Sequence, residues 1–349
     1  MSDEETQSSQ AARVALIYSP RAGSARGANP AALLRAAGLE AADVAPVAAV
    51  AAQDSDALVA RWRAAQVRAL VAAGGDGTVG AVGGLAARAG LPLGILPLGT
   101  ANDTARALGL PTQPAAAARL IARTLASGEE RLIDAGESLS AGGALNGYFL
   151  HALTLGLNVE FARRATDAQQ RERWGKLTYV ASAIESLTRF TPLPATLTVT
   201  GMEGAPAGEA TKISAKIALL TALNLPIFGG WMELRAPTVR DDDQLLDYFL
   251  IEEPDVGGVV GVMTALEQLV NGLMLAAERN GLNTRHGPVT FPGARWFRAR
   301  SVAIMTAEPA QITLDGELRG TTPATVRVAA QPARILAPIR QSSAQPAGI

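Results

Sequence analysis

The chain has no cysteine, which excludes a disulfide framework, a zinc-thiolate centre and thiol catalysis together. Aromatic residues make up only 4%, while the hydrophobic share reaches 48% and is rich in alanine; such a core is built by close approach of small side chains, as in packed α/β layers. Neither sign of charge dominates. A net charge of −1 excludes a globally basic nucleic-acid binder and leaves only a local basic patch. Residues 1–12 are polar and acidic with no apolar run, so they read as a disordered tail and not as a secretory signal, which points to the cytoplasm. Residues 256–277 approach membrane-span length with Glu267 as their only charge. Glu267, Gln268 and Asn271 lie mid-segment and no aromatic belt flanks them, so a buried helix is expected instead of a span. At 349 residues, one large or two medium domains are expected.

What is present is organised around residues 69–108. Ala69 to Ala73 is an apolar run of strand type, broken by Gly74-Gly75-Asp76-Gly77-Thr78, with a small-residue helical pattern from about Val79. Glycines let an anion approach the backbone without meeting a Cβ, and the N–H groups that open the next helix favour negative charge. Phosphate is the expected ligand. A second unit repeats the plan: Leu93 to Leu96 as a strand, Pro97-Leu98-Gly99-Thr100 as the turn, and residues 101–108 as a helix with Asn102 and Asp103 in its first turn. Two adjacent parallel strand ends would present both turns to one crevice. Asp76 inside a phosphate loop repels its ligand unless a divalent cation stands between them, so it points to Mg²⁺.

Around this centre, residues 14–18 and 44–50 read as strands, 30–38 as a short helix, and Asp54 or Ser55 as the cap of a helix through Trp62. Residues 114–127 are helical, and 131–136 form a strand leaving the first domain. From Gly147 the pattern changes to strands with few helices, at 148–158, 195–200, 213–223, 232–234, 245–251, 289–291, 296–305, 311–314, 325–328 and 334–336, which predicts a second, mainly antiparallel domain. Residues 167–189 are amphipathic and helical, and the basic run Arg163, Arg164, Arg171, Arg173 and Lys176 reads as a solvated face before it reads as a lipid contact. His151 reads as a packed histidine, and Asp315-Gly316-Glu317 by itself as a hairpin turn.

GGDGT followed by ILPLGTANDTAR resembles the nucleotide site of the diacylglycerol kinase catalytic family, which includes bacterial lipid kinases, sphingosine kinases and ceramide kinases. NAD kinases share only the GGDGT part. The resemblance extends over residues 13–338 through Asp134, the Gly-Lys-x-x-Tyr piece at Gly175, Lys176 and Tyr179, the loops at 224–230 and 237–247, and Asp315-Gly316-Glu317. It implies an open α/β nucleotide-binding domain over 13–135 and an antiparallel β-sandwich domain over 136–338 for the lipid. The last strands would return to the first domain, and 339–349 would form a polar tail. The implied activity is ATP- and Mg²⁺-dependent phosphoryl transfer to a lipid hydroxyl in the interdomain cleft, with peripheral membrane contact, no nucleic acid, and a homodimer left open as the assembly.

The resemblance assigns the nucleotide to Pro20, Gly23, Gly74, Gly75, Asp76, Gly77, Thr78, Gly99, Thr100, Asn102 and Asp103. It assigns the catalytic Mg²⁺ to Asp76 and Asp134. A structural Mg²⁺ falls to the Asp243 carboxylate with the carbonyls of Arg240 and Leu245. The catalytic carboxylates are Glu317 and Asp315, with Glu317 preferred as general base. The chain departs from the family pattern at Ser19 for asparagine, Ala51 for threonine, Gln244 for glycine, and Val79-Gly80-Ala81-Val82 for Val-Asn-Glu-Val. Two other functions stay open: a kinase of a soluble acceptor such as NAD, and a non-catalytic nucleotide- or lipid-binding protein.

Overall fold

The computed structural model describes residues 11–20, 22, 28–51, 53–156, 191–228, 234–235, 239–252, 289–291 and 294–339. Gly23, the helix expected at 167–189 with its basic run and Gly-Lys-x-x-Tyr piece, Gly229, Gly230, Pro237, the apolar stretch at 256–277, and residues 1–10 and 340–349 of the tails lie outside them. The chain divides into two compact units, one formed by Met1–Ala105, Gly109–Leu132 and Arg334–Ile349, the other by Arg106–Leu108 and Ile133–Ala333.

The first unit alternates strands and helices: β1 (Ala12–Tyr18), α1 (Pro30–Ala36), β2 (Leu39–Pro46), α2 (Val47–Ala51), α3 (Ser55–Ala64), β3 (Ala69–Gly74), α4 (Asp76–Ala89), β4 (Leu93–Pro97), α5 (Asp103–Ala107), α6 (Pro114–Ser127) and β5 (Arg131–Ile133). Its sheet has the order β2-β1-β3-β4-β19-β5, β19 (Ala333–Ile335) being the last strand of the chain. The pairings of β1 with β2 and β3, and of β4 with β3 and β19, are parallel, so the carboxyl ends of β1, β3 and β4 share one edge. Every residue of β3 and β4 is buried, as a parallel strand covered on both faces requires. Leu16, Val71 and Leu96 pack there against Leu34 of α1 and against Ile121 and Leu125 of α6. Cutting such a leucine to alanine costs about 2–5 kcal/mol.

Local signals fix the helix ends. The Asp54 carboxylate accepts the N–H groups of Asp56 and Ala57 at the start of α3, and Gly90 and Gly128 close α4 and α6 in the left-handed conformation. The boundary of β2 differs from expectation. The strand read at 44–50 is β2, which pairs with β1 from Leu39 to Pro46, and residues 47–51 form α2. Proline has no N–H to carry the ladder further, and Val50 is buried from the helix instead.

The second unit contains β6 (Gly136–Ser140), β7 (Leu145–Phe149), β8 (Ala152–Gly156), β9 (Leu193–Met202), β10 (Ala210–Leu223), β11 (Ile227–Phe228), β12 (Leu234–Arg235), β13 (Leu246–Glu252), β14 (Val289–Phe291), β15 (Ala294–Thr306), β16 (Gln311–Leu314), β17 (Glu317–Thr321) and β18 (Ala324–Val328). An antiparallel sheet runs β17-β16-β8-β10-β13-β15-β18-β6-β7, with β9 joining β10 to β15. The long strands β10 and β15 each change partner midway. Ala210–Ile217 lies beside β9 and Leu219–Leu223 between β8 and β13, while 294–299 pairs with β13 and 299–306 with β9. Burial follows the change, since β10 alternates in its first half and is continuously buried from Ile217. Leu155, Val199, Ile217, Leu250, Phe297 and Val326 meet in this core. Among the described residues no helix is long and apolar enough to cross a membrane.

Candidate functional site

In the first unit the two glycine turns lie side by side at the carboxyl ends of β3 and β4. A Cβ on Gly99 would fall 2.4 Å from the Cα of Gly75 and 2.9 Å from Asn102 Oδ1, so the two backbones meet as only glycines allow. A Cβ on Gly74 would lie 2.4 Å from Oγ1 of Thr78, which is buried against it. Gly75 caps α4 without a side-chain acceptor; the Thr78 N–H donates to the Gly75 carbonyl at 2.9 Å, and the N–H groups of Asp76 and Gly77 open this 14-residue helix at the end that favours an anion.

Asn102 locks the second turn from within. Its Oδ1 accepts the Gly99 N–H and its Nδ2 donates to the Gly99 carbonyl, both at 2.9 Å, while its own backbone is left-handed at φ 52°. These bonds brace the turn from within. Thr100 is exposed at its tip, and Pro20 is exposed after β1. Asp76 ties the units of the motif together: Oδ2 accepts the Asp103 N–H at 3.1 Å and Oδ1 the Thr104 N–H at 2.8 Å, which fastens the start of α5 to the start of α4. Asp103 is buried behind it.

In the second unit Asp134 holds one loop at both ends. Its N–H donates to the Asp241 carbonyl at 2.6 Å, and its Oδ2 accepts the Gln244 N–H at 2.6 Å. Burial raises the Asp134 pKa, opposed by the Gln244 N–H and reinforced by Asp242 and Asp241. Asn224, fully buried, donates to the carbonyls of Asp134 and Leu150. Sequence reading missed this role, for which its place at the head of the 224–230 loop was the one available signal. Gln244 adopts φ 61°, the left-handed conformation a glycine would take there, so the substitution preserves the turn.

The Asp76 carboxylate of the first unit keeps lone pairs beyond the two N–H groups it accepts, and the Asp134 carboxylate of the second unit keeps lone pairs beyond the Gln244 N–H. Among the described residues no group of three or more acids and histidines could hold a metal by itself. The structural Mg²⁺ expected at Arg240, Asp243 and Leu245 does not fit. Asp243 Oδ1 accepts the Leu245 N–H at 3.1 Å and Oδ2 is paired with the guanidinium of Arg298, so the proposed ligand oxygen already has its cation.

A second correction concerns Asp315. The single strand expected at 148–158 is broken into β7 and β8, because the N–H groups of Leu150, His151 and Ala152 turn to the Asp315 carboxylate at 2.9, 3.0 and 2.8 Å. Burial pushes Asp315 up to about 6 against the pull of His151 and these three bonds. With its oxygens turned to these N–H groups, Asp315 anchors the turn after β16. Glu317 is exposed at the start of strand β17. His151 is buried, as expected of a packed histidine.

Comparison with known proteins adds an independent line. The family model described as the diacylglycerol kinase catalytic domain matches residues 13–137, and that described as the YegS C-terminal NAD kinase beta sandwich-like domain matches residues 152–337. A diacylglycerol kinase of Mycobacterium tuberculosis is 32% identical over 208 residues, which cover 59% of this chain and 62% of the relative. A Xanthomonas euvesicatoria protein named probable lipid kinase YegS-like is 32% identical over 291 residues, 81% of this chain and 82% of the relative. The match spans less than two thirds of the mycobacterial relative's own length. The solved structure of a diacylglycerol kinase from Bacillus anthracis has the same fold, with a TM-score of 0.59 at 23% identity over 93% of this chain and 96% of that one.

Proposed function

The chain belongs to the diacylglycerol kinase catalytic-domain family, with the YegS-type C-terminal domain, and we propose that it is an ATP- and Mg²⁺-dependent lipid kinase. The acceptor in this reading is the hydroxyl of a lipid such as diacylglycerol, which implies peripheral contact with a membrane. One observation supports it above the others: the paired glycine turns meet beside the start of α4, which has no side-chain cap, and the Asp76 carboxylate clamped on α5 stands among them. A carboxylate in a phosphate cradle belongs to phosphoryl transfer more than to plain nucleotide storage.

The first-turn amides of α4 and the Gly99 turn receive the phosphates, and Thr100 contacts the nucleotide from the tip. In this reading Asp76 and Asp134 would hold Mg²⁺, whose charge would offset that of the phosphates. The lipid oxygen forms a bond to the γ-phosphorus as the bond to the bridging oxygen breaks and ADP leaves with that electron pair. Glu317 takes the hydroxyl proton, since an alcohol has no useful acidity at neutral pH. Asp315 fixes the turn that carries Glu317.

The test is turnover of radiolabelled ATP with a panel of lipid alcohols in mixed micelles and with NAD in parallel. Glu317→Gln keeps size and hydrogen bonding but cannot accept the proton, and should lower kcat by about a hundredfold or more with ATP affinity unchanged. Phosphorylation of NAD alone, or ATP binding without any turnover, would replace the lipid-kinase reading by one of its rivals.

A further inference from the structure

In the second unit the loop at 240–245 presents an acid-rich corner with a guanidinium at its centre. Arg298 of β15 stands directly across from Asp247 of β13 and is only 11% exposed, buried among three carboxylates. Its Nη2 pairs with Asp243 Oδ2, its Nη1 donates to Glu203 Oε1 at 2.9 Å, and its Nε lies 3.6 Å from Asp247 Oδ2. Asp247, completely buried, accepts the Trp296 indole N–H at 2.8 Å on its other oxygen. The carboxylates facing Arg298 are thus Asp243, Glu203 and Asp247. Arg240, largely exposed, spends its guanidinium on Asp242 and reaches Asp243 only at 4.0 Å. Arg300 donates to the Gln244 side chain at 2.9 Å.

We propose that Arg298 is the built-in cation of this loop, doing without metal what the family resemblance assigns to a structural divalent ion. Four features carry the inference. The carboxylate that would ligate the ion, Asp243, is itself only 14% exposed and has one oxygen on the Leu245 N–H and the other on Arg298. A divalent ion needs about six oxygen ligands, and one added here would face a fixed positive charge in a poorly hydrated site. Arg298 also comes from a core strand, held by the Glu203 N–H donating to its carbonyl at 2.9 Å, so the charge is placed by the fold. Finally, the loop it fixes delivers the Gln244 N–H to Asp134, which makes Arg298 a positioning residue for that carboxylate. The inference does not depend on the kinase reading.

The experiment uses the full chain without nucleotide, melted in EDTA and in millimolar MgCl₂, as wild type, Asp243→Asn, Asp76→Asn, Arg298→Met and the Asp243→Asn/Arg298→Met double variant. Wild type and Asp243→Asn should show the same Tm difference between EDTA and Mg²⁺. Arg298→Met should lower Tm by about 5 °C or more, because removing one partner strands the other, and the double variant should be no less stable than Arg298→Met. Exchange of the Gln244 amide should be equally slow in both buffers for wild type. A Mg²⁺ stabilisation of wild type that Asp243→Asn abolishes and Asp76→Asn keeps would overturn the proposal, as would additive losses in the double variant. If Arg298→Met does not fold, the wild-type and Asp243→Asn comparison decides.

Discussion

Replacing Asp76 with asparagine should do two separable things. The carboxylate accepts two backbone N–H groups, from Asp103 at 3.1 Å and Thr104 at 2.8 Å, one on each oxygen. A carboxamide has a single acceptor oxygen, so one of those N–H groups would face an NH₂ donor and lose its partner, at a cost of about 1–3 kcal/mol. Loss of a negative charge from the first turn of α4 adds about 0.3–1 kcal/mol. The sum, about 1.3–4 kcal/mol, corresponds to a fall of roughly 3–15 °C in the melting transition of a unit this size. Turnover should fall by at least a hundredfold, the scale on which electrostatic stabilisation of a transferring phosphoryl group acts, about 10²–10³ per donor lost. Calorimetry on the full chain, with ATP titration and the lipid-kinase assay on the same preparation, reads all three quantities. An Asp76→Asn protein that melts within a degree of wild type would refute the clamp on α5. One that keeps kcat within tenfold would refute the metal role, whatever its stability.

Gly99→Ala forces a methyl to within 2.4 Å of the Gly75 Cα, so the two turns must part by about an ångström; overpacking of about 1–3 kcal/mol and at least a tenfold weaker ATP affinity are expected, and unchanged ATP binding by calorimetric titration would contradict the geometry. Thr100→Val, at an exposed tip, should leave folding stability within about 0.5 kcal/mol of wild type while raising KM for ATP more than for lipid; a lipid-only effect would move the nucleotide elsewhere. Asp315 should impose a pH dependence on folding. Its pKa rises from 3.8 to about 6 in the folded chain, so the native state holds the proton more tightly, and the stability this supplies is full below about pH 4 and lost as pH climbs to about 6. The loss amounts to about 3 kcal/mol, and Asp315→Asn should flatten the stability profile over that window; an unaltered slope would show that another group is responsible.

The residues that had to be glycine were legible because a backbone without Cβ leaves a mark in the sequence. Gly74, Gly75 and Gly99, the buried apolar runs of β3 and β4, and the Asp54 cap all specify their structure within a few neighbours, and they carried the α/β reading and the phosphate site. The limits of β2 were misjudged because Val, Ala and Pro at 44–50 suit strand and helix about equally, and pairing with β1 decided where the ladder stops. The fate of each carboxylate was decided only by folding. Asp76, Asp134, Asp243, Asp315 and Glu317 are alike as letters, yet one clamps a helix, one holds a loop, one is neutralised by an arginine 55 residues away, one is swallowed by three amides more than 160 residues distant, and one is left on an exposed strand. Hydrogen-bond donors and charges act over a few ångströms, so what a carboxylate becomes depends on which strand the sheet sets beside it, and the partner of Asp243 is set by the register of β13 against β15.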